Sequence, residues 1–494
     1  MSNLSELLPA GGAAKEFEPV ASGTLPNGRT VILKANGQVE VAGESDTPIS
    51  ANVPASSEYT FNAGHTTFSS VAFDPYNEGK FVICYTNNSN GYGHAIVGTV
   101  SGTSLSFGSA HTFHSGYTYE NSIAFDPNTS GKFVIGYRDG GSSNAAQAVS
   151  GTLSGTSLSF GNPATIHTTG WNVSIAFDPN TAGKFAIAYT RGDEGQGDIR
   201  ICSQSGAALT IGSSYDFVGT GHDPSIAFDP NQTNKILVGY GSGAYRASLI
   251  VATVSGTSVT YGTESALGLI ELDIYGSRRN NISFDPNTSG SFVYALADAS
   301  TSWRPTVVAG TLSVAVITVG TPLLISSSAA YSVYASFDPN TASKVTVVYG
   351  GSNAGYAWLG TVSSNSVSGS SSQINSGETS NVGLGYDQIA KGKFIASYTD
   401  ESVNTKLGKT ILGQSASSVT TTNVADFVGI TAEAITSGAT GVVVPQGGVA
   451  TNLSSLTIGS NYYVQADGTV STVSTSPAVN IGKAISATSL ILKG

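Results

Sequence analysis

Apolar residues in this chain come in short bursts with a period of two, separated by turns rich in Gly, Pro, Asn and Ser, and the bursts repeat. In residues 122–137, SIAFDPNTSGKFVIGY, a short strand runs into the turn DPNTSG and out into a second strand, where Phe133, Ile135 and Tyr137 alternate with Val134 and Gly136. This pattern predicts a β-hairpin whose second strand has one bulky and one small face. Near copies begin at Ser70, Ser174 and Ser225, and the aspartate of the FDP signature, or its equivalent, falls at Asp74, Asp126, Asp178, Asp229, Asp285, Asp338 and Asp387. These mark seven units, 49 to 56 residues apart. Each unit continues with an apolar segment such as AIVGTVSG and another such as SLSFGSA. Four short strands in a unit of about 50 residues are the signature of one propeller blade. The expected fold is all-β: a seven-bladed β-propeller of four-stranded blades, flanked by small N- and C-terminal β modules. An open solenoid and rings of six or eight blades are the alternatives.

The hairpin has a physical reason at each point. Asp126 can accept a hydrogen bond from the turn backbone, Pro127 fixes φ at the second turn position, and Gly131 permits a left-handed residue before the next strand. At the Gly136 position the other units carry Cys84, Ala188, Gly239, Ala295, Val348 and Ser397, all modest in size. A bulky face on one blade can therefore fit a small face on the next, at ~2 kcal/mol for each fully buried side chain. Upstream of the first FDP, the segment SSEYTFNAGHTTFSS resembles the end of a unit without the strands before it. A strand near residues 59–62 is expected to join the last blade and lock the ring, which also removes sheet edges.

Three regions follow: a docking tail and small β module over 1–56, the propeller over 57–424, and a C-terminal β domain over 425–494. Hairpin turns are expected around Asn36 and Gly37 and around Asp467 and Gly468. Only 11% of the chain is charged, with 60 glycines and one methionine, which suits short strands and tight turns better than helices. The net charge of −11 and the lack of basic runs argue against nucleic acid as a partner. The N-terminus lacks the basic start and apolar stretch of a secretory signal, and no apolar run approaches the ~20 residues needed to span a bilayer. A soluble chain, made without a signal peptide and without membrane insertion, is expected. Cys84 and Cys202 fall in strands of non-neighbouring units, so no disulfide is expected. The histidines lack ligand spacing and there is no Asp-rich calcium loop, so no metal or other cofactor is expected.

The repeat AFDPNT...GKFVIGY...AIVGTVSGTSLSFGSA resembles one found in virion structural proteins of marine bacteriophages, especially large tail and fibre proteins. The ending FVGITAEAITSGATG...LTIGSNYYVQADGTVST...VNIGKAISATSLILKG is similar to a C-terminal β domain carried by many such proteins. Together the two cover the chain from about residue 57 to its end. The resemblance implies a virion location, other virion proteins as partners and, since phage fibres are commonly trimeric, a homo-oligomer. It implies no catalytic residue.

Two rims differ. If SIAF is the innermost strand, the DPNTSG and SGTS turns share one rim and are repetitive, whereas the loops that follow each Tyr strand, and the connections between units, share the other and vary. Variable loops on a rigid scaffold are where binding usually sits. The ligand-binding candidates on that rim are Tyr92, His114, Arg138, Trp171, Arg191, His222, Tyr245, Arg246, Arg278, Arg279, Trp303 and Arg304. Aromatic rings stack on sugar faces and Arg pairs with carboxylates, so the mixture suits a host-surface glycan; the same residue types also simply populate solvated loops. Glycoside hydrolysis needs two carboxyl groups roughly 5 to 9.5 Å apart, for which Glu120, Asp139, Asp193, Glu194, Asp223, Glu271 and Asp273 are candidates without a motif. The reading is a non-enzymatic tail or fibre component that displays a propeller for host attachment. A capsid decoration or tail connector with purely structural contacts is the alternative, and a polysaccharide-degrading virion enzyme the third.

Overall fold

The computed structural model describes residues 16–34, 36–42, 44–192, 194–243, 246–272, 280–422, 426–465, 468–474 and 478–493. The chain divides into two compact units, Ile49–Ser417 and the paired ends Met1–Pro48 with Ser418–Gly494. Both are built of antiparallel strands.

In the larger unit the repeats fold as antiparallel sheets in a propeller-like arrangement. The second repeat is representative: an inner strand Thr118–Phe125, then Lys132–Asp139, Ala145–Ser154 and Ser157–Phe160, each paired with the next. The expected fourth strand is broken here, because Ala164–His167 also pairs back on the third strand; in the first and sixth repeats it is continuous, as Ser104–His114 and Ser366–Asn375. The inner strands Tyr59–Phe73, Thr118–Phe125, Gly170–Phe177, Gly221–Phe228, Asn280–Phe284, Ser332–Phe337 and Thr379–Tyr386 each contact the next, and the last contacts the first.

Side chains from both faces of every second strand are buried between sheets. Phe133, Ile135 and Tyr137 pack on Val82 and Cys84 of the preceding repeat, while Val134 packs under Phe185, Ile187 and Tyr189 of the following one. The same bulky-on-small fit continues to Ile395 of the seventh repeat, which packs on Phe81, Ile83 and Tyr85 of the first. The Phe133 ring also needs Gly151 on the third strand: a Cβ there would lie 2.1 Å from the ring.

Two sets of hydrogen bonds staple neighbouring sheets. An inner strand has one edge without a sheet partner, so its N–H groups must be satisfied otherwise. Ser122, Ser174 and Ser225 accept from the backbone N–H of Ile175, Ile226 and Ile282 in the following repeat, at 3.0 to 3.3 Å. On the turn rim Asp126 is buried, and its two carboxylate oxygens divide their work: Oδ1 accepts from Asn128 N at 2.9 Å within its own turn, and Oδ2 accepts from Gly183 N of the next repeat at 2.8 Å. Asp285 bonds Ser343 N, and Asp387 bonds Gly79 N, in the same way. The side-chain amide of Asn128 adds bonds to the carbonyls of Asp178 and Pro179. The FDPN turn is therefore an inter-sheet clamp as well as a local turn.

The strand Tyr59–Phe73 serves two repeats. Its second half pairs with Lys80–Asn87, and its first half, through Tyr59, Thr60, Asn62 and His65, pairs with Leu407–Gln414 of the seventh repeat. First and last repeats thus share one seven-stranded sheet. Residues 52 and 55 also bond the backbone of residues 414 and 412, which is why this unit begins before residue 57.

The flanking segments, expected as separate modules, combine. Val31 and Ile32 of Thr30–Leu33 are buried, so both strand edges need partners; Val39–Val41 supplies one and Phe427–Thr431 the other. A five-stranded sheet formed by residues 449–450, 461–464, 470–471, 480–484 and 490–492 contributes Tyr462, Val464, Ile481 and Leu490 to the same core as Ile32 and Phe427. Turns occur at Gly37 and Gly468, both with positive φ, whereas Asp467 lies outside the described residues.

Candidate functional site

The first strand of each repeat begins on the variable rim. There, in five of them, pairing with the second strand slips by one residue, so that two residues oppose one. The residue opposed is the repeat tyrosine: Tyr85, Tyr137, Tyr189, Tyr240 or Tyr398. The first residue of each bulge, Phe68, Glu120, Asn172, Asp223 or Asn381, has φ between 48° and 56°. Asn and Asp adopt this left-handed conformation more readily than Phe and Glu, which are strained in it. The exposed N–H of one bulge is met from the preceding repeat: Asn381 Oδ1 accepts from Phe68 N at 3.0 Å, and Glu120 accepts from Asn172 N.

The bulges stand at one end of an axial cavity of about 390 Å³. Glu120, Asn172 and Asp223 line that end and Pro75, Pro127 and Gln388 the other, with small residues such as Ser122, Ala124, Ser174 and Ala176 between them.

The rim candidates are distributed over several sheets. Tyr92, 40% exposed, begins the third strand of the first repeat beside His94, whose pKa burial pushes below the usual histidine range. His114 lies 3.2 Å from the Asp139 carboxylate and 3.3 Å from the Tyr137 hydroxyl, in a ring of contacts closed by Gln147. Arg138 lies over the Tyr119 ring, 4.3 Å from its centroid, and 3.3 Å from Glu120. Trp171 and His222 lie close to two glycines that follow Arg191: a Cβ on Gly192 would stand 3.4 Å from the Trp171 indole, and one on Gly195 3.4 Å from the His222 ring. Arg191 is itself held by Glu194 at 3.1 Å and by Gln196 at 3.1 Å. Burial lowers the His222 pKa, which favours its neutral form. Arg246 donates to Gly268 O at 2.6 Å. Trp303, 42% exposed, follows a single 3-10 turn that Asp298 caps, and Arg304 lies opposite Asp298. Tyr245, Arg278 and Arg279 lie outside the described residues, as do Asp193 and Asp273.

No family model matches the chain, and no curated protein matches it. Among solved structures it is similar to AofleA from Arthrobotrys oligospora at 8% identity, over 73% of this chain and 96% of that one, with a TM-score of 0.43. Sqt1 from Chaetomium thermophilum is similar at 12% identity, over 72% and 88%, with a TM-score of 0.45. A mutant of the Aleuria aurantia lectin AAL in complex with Fucα1-6GlcNAc is similar at 10% identity, over 63% and 96%, with a TM-score of 0.42.

Three of the candidate carboxylates are engaged with protein groups. Glu120 is held by Arg138 and Asn172, Asp139 by His114 and the Gly141 N–H, and Glu194 by Arg191. Burial, reinforced by Asp216 on the facing strand, lifts Asp198 to about 6, but Asp198 is fully buried beneath Tyr189 and Ser214. Among the described residues no three His, Cys, Asp or Glu side chains are grouped to hold a metal. No helix among them is long and apolar enough to cross a membrane.

Sequence reasoning overlooked Tyr119 and Tyr331, which occupy the same position as Trp171 and His222, six residues before the aromatic that ends the inner strand. It also overlooked the left-handed ring. The signal was available only in part, as the Asn or Asp two residues before Ser174, Ser225 and Gly383.

Proposed function

We propose that the chain is a non-enzymatic binding protein of a phage virion, a tail or fibre component whose repeats close a seven-bladed propeller and present the variable rim to glycans of the host surface. The asymmetry between the rims carries this reading. The turns spend their polar groups on neighbouring sheets, through Asp126, Asp285, Asp387 and Asn128, whereas the opposite rim leaves Tyr92, Trp171 and Trp303 exposed, against Tyr76 on the turn rim. Exposed aromatics on a rigid frame are the usual means of stacking against sugar faces. The shared sheet of the first and last repeats, and inner strands that touch in cyclic order, support a closed ring of seven. The pairing of Glu120, Asp139 and Glu194 with protein groups favours binding over hydrolysis at these residues, since hydrolysis needs a free acid and a free base or nucleophile. The virion placement rests on the resemblance of the repeat and of the ending, which also implies other virion proteins as partners and a trimer.

Two measurements test this. Antibody labelling of intact particles should decorate the distal tail; labelling over the capsid lattice instead would favour a decoration protein with structural contacts only. The full chain on a glycan array should retain envelope sugars of the host, and incubation with envelope polysaccharide should release no new reducing ends. Absence of retained sugar would refute the adhesin reading, and released ends would make the protein an enzyme.

A further inference from the structure

We propose that the variable-rim mouth of the axial cavity is one binding site per chain for a neutral saccharide residue. This rests on the glycan-binding reading above and makes it specific in place, number and charge.

The place follows from the bulges. Six residues before the aromatic that ends each inner strand, the described repeats carry Thr67, Tyr119, Trp171, His222, Tyr331 and Ser380. After every one of these except Tyr331 the next residue in the chain is the left-handed one, and Glu120, Asn172 and Asp223 line the cavity. Three of the five bulges thus set a rim residue next to a polar residue that lines the cavity. Tyr119, Trp171 and His222 come from three consecutive inner strands that touch in order, so these positions follow one another in an arc, each next in the chain to a residue that lines the cavity. Trp171 is 39% exposed, as is Tyr331. The cavity of about 390 Å³ is within the range that holds a small ligand, and a few convergent polar groups are what fix orientation in such pockets.

The number follows from the loss of symmetry. A site built from the repeat would recur in every sheet, but the two adjoining sheets that share the strand Tyr59–Phe73 present only Thr67 and Ser380 at this position. The aromatic arc therefore occurs on one side of one axis.

The charge follows from what the arginines already hold. Arg138 is stacked on Tyr119 and paired with Glu120; Arg191 is paired with Glu194 and Gln196. A uronate, sialate or sulfate would have to displace these partners. The end of the cavity on this rim is lined by two carboxylates, Glu120 and Asp223, with Asn172 between them, a lining that disfavours an anion.

The test uses the full chain and an array holding neutral and acidic oligosaccharides, with the strongest neutral hit then titrated calorimetrically. One mole of sugar should bind per mole of chain. Trp171→Ala should weaken binding at least about tenfold, Trp171→Phe should restore most of it, and Tyr76→Ala, an exposed aromatic on the other rim, should change nothing. Thermal melts of the variants confirm that they fold. A stoichiometry well above one, retention of acidic sugars only, or loss through Trp303→Ala with Trp171→Ala silent would overturn the axial site while leaving glycan binding in place. Absence of any retained sugar would overturn the functional reading itself.

Discussion

Replacing Asp126 by Ala tests whether the FDPN turn clamps one sheet to the next. The change removes two acceptors, for Asn128 N at 2.9 Å and for Gly183 N at 2.8 Å. Asn128 N lies in a surface turn, where water can replace the carboxylate. The bond to Gly183 N is buried, and an unsatisfied buried donor costs about 1–3 kcal/mol, so the total should be about 2–4 kcal/mol. Asp74 supplies the internal control. Its oxygens accept from Tyr76 N and from the Asn77 side chain, both inside its own turn. Asp74→Ala should therefore cost less, by about 1–2 kcal/mol, the worth of the inter-sheet bond. Asp126→Asn should fall between, since its amide keeps one acceptor and turns an NH₂ toward a donor. Urea unfolding followed by tryptophan fluorescence reads the difference as a midpoint shift at unchanged slope. Equal midpoints for Asp126→Ala and Asp74→Ala would refute the clamp.

Further outcomes follow from packing and charge. Phe133→Ala should lower stability by about 3–5 kcal/mol, read by the same unfolding curves, because the side chain is fully buried between two sheets. Gly151→Ala should cost about 1–3 kcal/mol, since its Cβ would stand 2.1 Å from the Phe133 ring; an unchanged melting temperature would show that the ring can move aside. The folded-state pKa of Asp198, about 6, lies above the unfolded value of about 4, so the folded state binds this proton more tightly. Its contribution should grow as pH falls from 7 through 6 and level off near 4. Asp198→Asn should flatten that part of the pH–stability profile measured by calorimetry, and an unaltered profile would remove Asp198 as its source.

The hairpin was legible because its pattern is periodic and repeated: Asp126, Pro127, Gly131 and the alternation of Phe133, Ile135 and Tyr137 all take the expected positions. The strand near residue 59 was legible as a partial unit, and it pairs where expected. What sequence concealed is long-range. That Asp126 reaches Gly183 depends on two turns meeting across a sheet boundary, and no local propensity reports it. That Gly151 must lack a Cβ depends on the Phe133 ring lying over it. The bulges were concealed because Glu120 and Phe68 are poor left-handed residues, placed there by neighbouring sheets rather than by preference. Arginine was misleading at the rim: Arg138 and Arg191 suggest anion recognition by residue type, yet each is matched to a carboxylate of the chain.

The shared strand Tyr59–Phe73 also sets a schedule for synthesis. Tyr59 leaves the ribosome about 350 residues before its partner Thr410, and at ~5–20 residues per second that is a wait of roughly 20–70 s. Throughout it the first half of the strand has no sheet to join, while its second half is free to pair with Lys80–Asn87. An unpaired strand edge invites pairing with other nascent chains. The waiting segment, YTFNAGH, contains a glycine, an asparagine and a histidine among few large apolar residues, a composition suited to remaining solvated until the seventh repeat emerges. Nascent chains cut off before residue 407 should therefore be the aggregation-prone species of this protein, and the complete chain the one that escapes.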